Sequence, residues 1–258
     1  MARPRRIEPG FKVLTQVALS TDDPDDSYWG TGRVFVKPQH RDKPMRVGYE
    51  FLAARLAAAI GLPVPAGDVG QDINARKAWV SAVIDYQGQE FAPERPELAV
   101  ARQPDIAAGI FVFDVWVYNA DRHEENLISH EKLGMWIIDH ELAFGAVQLE
   151  SPELLPHLND RELRFHVFRD LPLDETYLQE WGERIRAIPA TAIKRAVSEG
   201  FLRGLYPAPV RDSLITFLLH RQKEMHRLVR QSRPAPPPEP DGAAGEGLVG
   251  GATEEEPG

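Results

Sequence analysis

Hydrophobic residues in the first part of the chain fall into two kinds of segment. The runs FKVLTQVAL (11–19) and RVFVK (33–37) are rich in β-branched and aromatic residues, and the polar stretch TDDPDDSYWGTG lies between them, which predicts two strands joined by a loop. The Ala- and Leu-rich run YEFLAARLAAAI (49–60) precedes a glycine and a proline and predicts a helix with a C-terminal stop. Because AWVSAVIDY (78–86) again has strand composition, this part is predicted to form a small sheet with one helix against it.

The second part of the chain has mainly helical patterns. The segment DIAAGIFVFDVWVY (105–118) is apolar on nearly every face, which predicts a buried helix. Two short apolar runs, 127–129 and 135–138, flank the sequence HEKLG and predict a β-hairpin. The spacing of apolar residues predicts three further helices, over 175–187, 190–200 and 210–229. Strands followed by helices indicate an α+β fold with a small β-rich unit and a larger helical unit.

The composition sets the expected boundaries of these units. We expect a disordered basic N-terminus over 1–7, a first lobe over 8–92, a second lobe over 98–231, and a tail over 232–258. The tail is rich in Pro, Gly and Glu and has very few apolar residues, so burial cannot offset the entropy of ordering it and it is predicted to be disordered.

Composition and charge exclude several classes of protein. With 43% hydrophobic residues, 27% charged residues and no cysteine, the sequence has the profile of a globular domain without disulfides or thiolate chemistry. We expect a cytoplasmic protein, because no apolar run approaches the length of a membrane span or a secretory core. The net charge of −9 is unfavourable for a protein that grips a phosphate backbone, so nucleic acid is not an expected partner.

The segment NADRHEENLISHEKLGMWIIDHELAFG (119–145) carries the most informative chemistry. Asp121 and Asn126 stand five positions apart after the predicted buried helix, and Asp139 follows the predicted hairpin. Protein kinases place a catalytic Asp five positions before a metal-binding Asn, and a second metal-binding Asp after a hairpin. Mg²⁺ prefers oxygen ligands, and an acceptor hydroxyl needs a nearby carboxylate. Asn126 and Asp139 are therefore candidate metal ligands, and Asp121 is the candidate catalytic residue.

A lysine and a glutamate upstream fit the same chemistry. Lys37 ends the predicted strand RVFVK, and Glu50 lies at the start of the predicted helix, thirteen residues later. In kinases a strand lysine contacts the nucleotide phosphates and pairs with a helix glutamate that holds it in place. Lys37 and Glu50 are therefore the candidate nucleotide-binding pair.

The pattern F-D-x-x-x-x-N-x-D-R-H-x-x-N (113–126), followed by I-D-H-x-x-x-F-G (138–145), resembles the HipA-like kinases. The D-R-H-x-x-N part is also similar to the loop of the phosphatidylinositol 3- and 4-kinases. The resemblance implies a two-lobed protein-kinase-like fold in which Lys37 contacts the phosphates of ATP, Asp121 is catalytic, and Asn126 with Asp139 holds Mg²⁺.

Three further residues of the motif have roles that the sequence does not decide. By the likeness to the lipid kinases, His123 is a second candidate for the base beside Asp121. Arg122 is either an ion-pair brace for the loop or a contact to a phosphate of the nucleotide, and the sequence does not choose. For Asp114, in its apolar helix, we favour a structural role as a paired carboxylate that braces the loop.

The sequence alone leaves several functions open. The HipA-like resemblance implies a Ser or Thr of a protein as the phosphate acceptor, while the lipid-kinase likeness implies a lipid or small alcohol. The first loop is acidic and lacks a G-x-G-x-x-G run, which favours a third possibility, a nucleotide-binding pseudokinase or scaffold. A zinc hydrolase is a weak alternative, because His123 and His130 are seven positions apart rather than four as in the helical H-E-x-x-H motif.

Overall fold

The computed structural model describes residues 13–19, 28–83, 85–86, 89–90, 92–130, 134–145, 157–163 and 165–234. The strands in these residues are β1 (Val13–Leu19), β2 (Tyr28–Gly32), β3 (Val34–Pro38), β4 (Gly67–Gln71), β5 (Lys77–Ala82), β6 (Asp85–Tyr86), β7 (Gln89–Glu90), β8 (Leu127–His130) and β9 (Gly134–Ile137). The helices are α1 (Arg46–Ala59), α2 (Pro96–Arg102), α3 (Pro104–Val117), α4 (Glu175–Arg186), α5 (Ala190–Leu202), α6 (Ala208–Lys223) and α7 (Met225–Ser232). Among the described residues the strands pair antiparallel, as β1-β2, β3-β5-β4, β6-β7 and β8-β9.

The central sheet of the first part packs against α1. Most side chains of α1 are buried, as the Ala- and Leu-rich sequence predicts, and the helix contacts both β4 and β5. Gly67 of β4 lets the Trp79 ring lie directly over the strand, since a Cβ at Gly67 would lie 2.5 Å from a ring carbon of Trp79. The packing fixes α1, and with it Glu50, beside the strand that carries Lys37.

The second part is built around α3. Every residue from Ala107 to Val117 is buried, which confirms the prediction of a helix covered on all faces. The helix packs against α2, α4, α6 and α7, and Trp116 donates a hydrogen bond from Nε1 to the Leu218 carbonyl of α6 at 3.1 Å. The end of α3 is thereby held rigidly where the candidate catalytic loop begins.

Three backbone contacts bring the two halves of the candidate motif together. The helix α3 ends at Val117, and its C-cap residue Tyr118 has a positive φ of 52°. The Phe144 amide donates to the Val117 carbonyl at 2.7 Å. The hairpin β8-β9 pairs Leu127 with Ile137, as predicted, and the Ile138 amide donates to the Asn126 carbonyl at 3.2 Å. The segment that carries Asp139 therefore returns to the loop that carries Asn126.

Several elements differ from the sequence predictions. Tyr28–Gly32 was predicted as loop but pairs with β1, and β4 and α2 were not predicted because one is Gly- and Asp-rich and the other is only seven residues long. The predicted strand 78–86 ends at Ala82. The predicted helix 210–229 is interrupted at Glu224, although its apolar stripe is buried as expected.

The start of the predicted tail belongs to the folded part. Ser232 is the last residue of α7 and is buried, and Arg233 pairs with Glu175 of α4. The rest of the tail from 235 onward, the basic N-terminus over 1–7 and most of the acidic first loop lie outside the described residues. Within the described ranges, no helix combines the length and hydrophobicity needed to cross a bilayer.

Candidate active site

Lys37 is buried although it lies on an edge strand. Val34, Phe35 and Val36 are exposed, whereas Lys37 is only 7% exposed. An unpaired ammonium in such a place would be costly, so a buried lysine needs carboxylate partners. A buried lysine beside exposed apolar residues is the reverse of the usual burial pattern. It indicates that the Lys37 ammonium is positioned for ionic contacts inside the protein.

The partners of Lys37 come from two distant segments. Its Nζ lies 2.5 Å from Oε1 of Glu50 on α1 and 2.7 Å from Oδ1 of Asp139. Burial alone lowers the pKa of Lys37, but Glu50 and Asp139 more than offset it, so that its pKa lies above the usual value. The structure thus brings together Lys37, Glu50 and Asp139, three residues that the sequence singled out separately.

Glu50 is held ionised inside the protein. Burial raises the pKa of this carboxyl, but His140 and Lys37 together lower it below its usual value. The imidazole of His140 reaches Glu50 with Nδ1 at 3.6 Å from Oε2, and its ring packs edge-on against Phe113. His140 thus occupies the position directly after Asp139 as a packed, buried side chain.

Glu141 completes the ion-pair cluster and was not predicted as a site residue. Its carboxylate accepts from Lys43 Nζ at 2.5 Å and from Arg46 Nε at 2.5 Å, and Oε2 lies 3.6 Å from Lys37 Nζ. Burial raises the pKa of Glu141, while these cations lower it below its usual value. The signal available in the sequence was the pair of cations at the start of α1, Lys43 and Arg46, which needed an acidic partner.

A metal ion has a possible ligand set in the same cluster. One oxygen each of Glu50, Asp139 and Glu141 lies within 4.8 Å of the others. Asp139 is the most accessible of the three, with 35% of its side chain exposed, and it has a positive φ of 60°. Since hard cations prefer carboxylate oxygens, Asp139 is the best placed of the three to bind one.

A cavity of about 400 Å³ opens beside this cluster. Lys37, Glu50, Asp139 and His140 contribute to its polar end. The rest of its wall is largely apolar and is formed by side chains such as Val64, Trp79, Ala82, Ile128 and Ile137. An apolar pocket of this size with a few convergent charged groups is typical of a small-molecule site.

Arg122 is enclosed by protein groups. Its guanidinium is fully buried and forms a two-point ion pair with Asp114, with Nε to Oδ2 at 2.8 Å and Nη2 to Oδ1 at 3.1 Å. Its Nη1 donates to the Ile138 carbonyl at 2.6 Å, directly before Asp139. The geometry favours the loop brace, the first of the two roles considered for Arg122, and gives Asp114 the structural role that we favoured.

The remaining candidates lie in the same loop but do not line the cavity. The Asn126 side chain is buried and donates from Nδ2 to the Asp121 carbonyl at 3.2 Å, which leaves its amide oxygen as the atom suited to a cation. Asp121 is half-buried. His123 is more accessible, with 44% of its side chain exposed and Nδ1 4.0 Å from Glu125.

The chain is similar to one known family and to solved kinase structures. A family model described as HipA-like kinase matches residues 30–195. The structure is similar to the Helicobacter pylori proinflammatory kinase CtkA, with a TM-score of 0.56 and 13% identity over 83% of this chain and 96% of that one. It also matches HipA of Shewanella oneidensis MR-1, solved with HipB and operator DNA, with a TM-score of 0.49 and 16% identity over 90% of this chain and 68% of that one. The search among curated proteins gave no match.

The likeness to CtkA shows the fold. The chain has the two-lobed, protein-kinase-like α+β fold that the sequence predicted, with a small β-rich lobe and a larger helical lobe.

Proposed function

This chain belongs to the HipA-like kinase family, and we propose that it is an ATP- and Mg²⁺-dependent phosphotransferase that transfers the γ-phosphate to a Ser or Thr hydroxyl of a protein. The observation that carries the proposal is the contact of Lys37 with both Glu50 and Asp139 at the polar end of the cavity. The three charges come from different elements, the strand β3, the helix α1 and the segment after β9, and packing alone does not require them to meet at a cavity wall.

The cavity fits a nucleotide in size and polarity. Its apolar walls suit a flat base, and the buried Lys37 ammonium at its polar end suits an anionic phosphate. Glu50 keeps the Lys37 side chain in place by a 2.5 Å contact. Lys37 would therefore contact the phosphates, with Glu50 as its positioning partner.

The donor set fits Mg²⁺ as well. The accessible carboxylate of Asp139 and the amide oxygen of Asn126 are the oxygen ligands that this cation prefers. When bound, Mg²⁺ neutralises charge on the phosphates. Arg122 holds the two ligand segments together, because its guanidinium donates to the Ile138 carbonyl from within the Asn126 loop.

Asp121 is the residue that we assign to the acceptor hydroxyl. The backbone of Asp121 is tied down by the Asn126 side chain, so that its carboxylate is presented from a fixed loop beside the metal ligand. An orienting or proton-accepting carboxylate acts mainly in the transition state. His123, exposed on the same loop, is the second candidate for this role.

The decisive experiment measures transfer of labelled γ-phosphate to the protein itself and to a casein or myelin basic protein acceptor, with and without Mg²⁺. The proposal predicts Mg²⁺-dependent phosphoserine or phosphothreonine, and inositol-lipid vesicles and glycerol serve as the alternative acceptors. Transfer only to a lipid or alcohol would support the second acceptor class.

A non-catalytic nucleotide-binding role is the rival that the first loop favours. The sequence over 21–32 is acidic and lacks a G-x-G-x-x-G run, so it offers no glycine-rich backbone to cover the phosphates of a nucleotide. Nucleotide binding by calorimetry without transfer to any acceptor would support this rival and contradict the catalytic proposal.

A further inference from the structure

A buried histidine lies next to the candidate catalytic loop and has no part in the function proposed above. His166 follows Phe165, which is exposed, yet His166 itself is buried. Its ring packs edge-on against Phe111 of α3, with 5.1 Å between ring centroids. A polar ring in such a place needs hydrogen-bond partners for its nitrogens.

Both ring nitrogens have partners, and these define the protonation of the ring. The Phe168 amide donates to Nδ1 at 3.2 Å, so Nδ1 is the unprotonated nitrogen. Nε2 then carries the proton and donates to Oδ2 of Asp114 at 3.1 Å. Burial lowers the pKa of His166 and outweighs the opposing effect of Asp114, in agreement with a neutral ring that donates from Nε2.

The Asp114 carboxylate is fully used by this arrangement. Oδ2 accepts from His166 and from Arg122 Nε, while Oδ1 accepts from Arg122 Nη2 and from Asn119 Nδ2. Two donors on each oxygen fix the plane of the carboxylate, and that plane fixes the guanidinium of Arg122, since a two-point ion pair is planar. Asp114 and Arg122 neutralise each other, so a neutral His166 completes the network without adding charge.

The same histidine ties a second segment to the loop. The Val167 amide donates to the Arg122 carbonyl at 3.0 Å. In the turn that contains His166, the His166 amide donates to the Leu163 carbonyl at 3.1 Å and the Arg169 amide donates to the His166 carbonyl at 3.0 Å. The backbone of Arg122, directly after Asp121, is thus held by the turn, and its side chain is held through Asp114.

We propose that His166 is a positioning residue for phosphoryl transfer: its Nε2–H orients Asp114 and Arg122, and these in turn fix the loop that presents Asp121. The inference rests on the proposed function for its kinetic test but not for its structural one. His166 does not line the nucleotide cavity, so its loss is expected to lower the rate constant while the affinity for ATP stays unchanged. A misplaced reacting group typically costs about 10- to 100-fold in rate.

The test compares three substitutions at one position. His166→Met removes both hydrogen bonds and keeps the volume, whereas His166→Gln keeps an N–H donor of similar reach. His166→Asn is polar but too short to reach Asp114, and it serves if the methionine variant does not fold. The matched control is His226→Met, because His226 lies at the surface on α7 and also makes a histidine–carboxylate contact, with Glu183 of α4.

Two measurements decide the outcome. With active protein counted by ATP titration, kcat is expected to fall about 10- to 100-fold in the Met and Asn variants with the KM for ATP unchanged, and to recover most of the way in the Gln variant. Hydrogen–deuterium exchange of 119–126 is expected to be faster in the Met and Asn variants only. The proposal would be overturned if the Met and Asn variants kept the parental kcat and exchange rate. It would also be overturned if all three variants lost kcat equally, or if the affinity for ATP fell together with kcat. If the parent binds ATP but transfers no phosphate, the function proposed above fails and the exchange result alone decides the role of His166.

Discussion

Replacing Lys37 by methionine tests the ion-pair cluster most severely. The cluster contains three cations, Lys37, Lys43 and Arg46, and three carboxylates, Glu50, Asp139 and Glu141. Lys37→Met keeps the length of the side chain and removes one positive charge. Glu50, with 3% of its side chain exposed, then loses its only cationic contact at hydrogen-bond distance among the described residues.

The size of the effect follows from the burial of both partners. Removing one member of a buried ion pair costs about 3–5 kcal/mol, because the other charge is left without compensation. For a domain of this size such a loss lowers the unfolding temperature by about 6–20 °C. The double variant Lys37→Met/Glu50→Gln removes both charges and is expected to recover a large part of the loss.

The loss of stability in Lys37→Met is expected to depend on pH. In the parent, the pKa of Glu50 is below its usual value, so its contribution to stability is present at neutral pH and is lost as the pH falls through the lowered pKa. In Lys37→Met, Glu50 keeps only its 3.6 Å contact with His140 to oppose the effect of burial, so we expect its pKa to rise above the usual value and the folded state to bind a proton more tightly than the unfolded chain. The deficit of the variant is therefore largest near neutral pH and smaller near pH 5.

Urea unfolding of the parent and variants from pH 5 to 8 measures these differences. Lys194→Met is the matched control, because Lys194 is exposed on α5, and a change within about 0.5 kcal/mol is expected there. A Lys37→Met protein as stable as the control at pH 8, or a deficit that does not change with pH, would refute the reasoning. In the same variant, the rise in unfolding temperature that ATP with Mg²⁺ produces in the parent is expected to disappear.

Two further predictions concern neighbouring charges. Glu141→Gln removes the carboxylate that neutralises Lys43 and Arg46 close to Lys37. Titration calorimetry should then show about fivefold tighter binding of ATP without Mg²⁺, since a nearby cation contributes about 1 kcal/mol; an unchanged affinity would contradict this. Arg221 is fully buried and donates to five backbone carbonyls, so Arg221→Met should cost about 3 kcal/mol in urea unfolding. A loss below 1 kcal/mol would show that water replaces those bonds.

The sequence was most informative where residues with candidate chemistry are concentrated in a short pattern. The spacing of Asp121, Asn126 and Asp139, read with the Lys37 and Glu50 pair, led to the kinase-like fold that the comparison shows. The structure places Lys37 in direct contact with both Glu50 and Asp139. Strong amphipathic or apolar patterns, such as those of α1 and α3, were predicted to within a few residues.

The residues that the sequence did not reveal depend on contacts between distant segments. Glu141 acquires its role only when Lys43 and Arg46, nearly a hundred positions earlier, fold against it. His166 meets Asp114 across 52 positions, and no local pattern in its surroundings marks it. The break at Glu224 was not predicted either, because the buried apolar stripe of α6 continues into α7 and no glycine or proline marks the boundary.

Comparing Asp121→Asn with Asp139→Asn tests the proposed kinase mechanism most directly, because the two carboxylates have different roles in it. Asp139 is assigned to the metal that bridges the phosphates, so its neutralisation should lower both Mg²⁺-dependent ATP affinity and phosphoryl transfer. Asp121 is assigned to the acceptor hydroxyl, so its neutralisation should abolish transfer and leave ATP affinity intact. Titration calorimetry beside γ-phosphate transfer measures both quantities. An Asp121→Asn protein that transfers phosphate at the parental rate, or an Asp139→Asn protein with unchanged Mg²⁺-dependent affinity, would contradict the account.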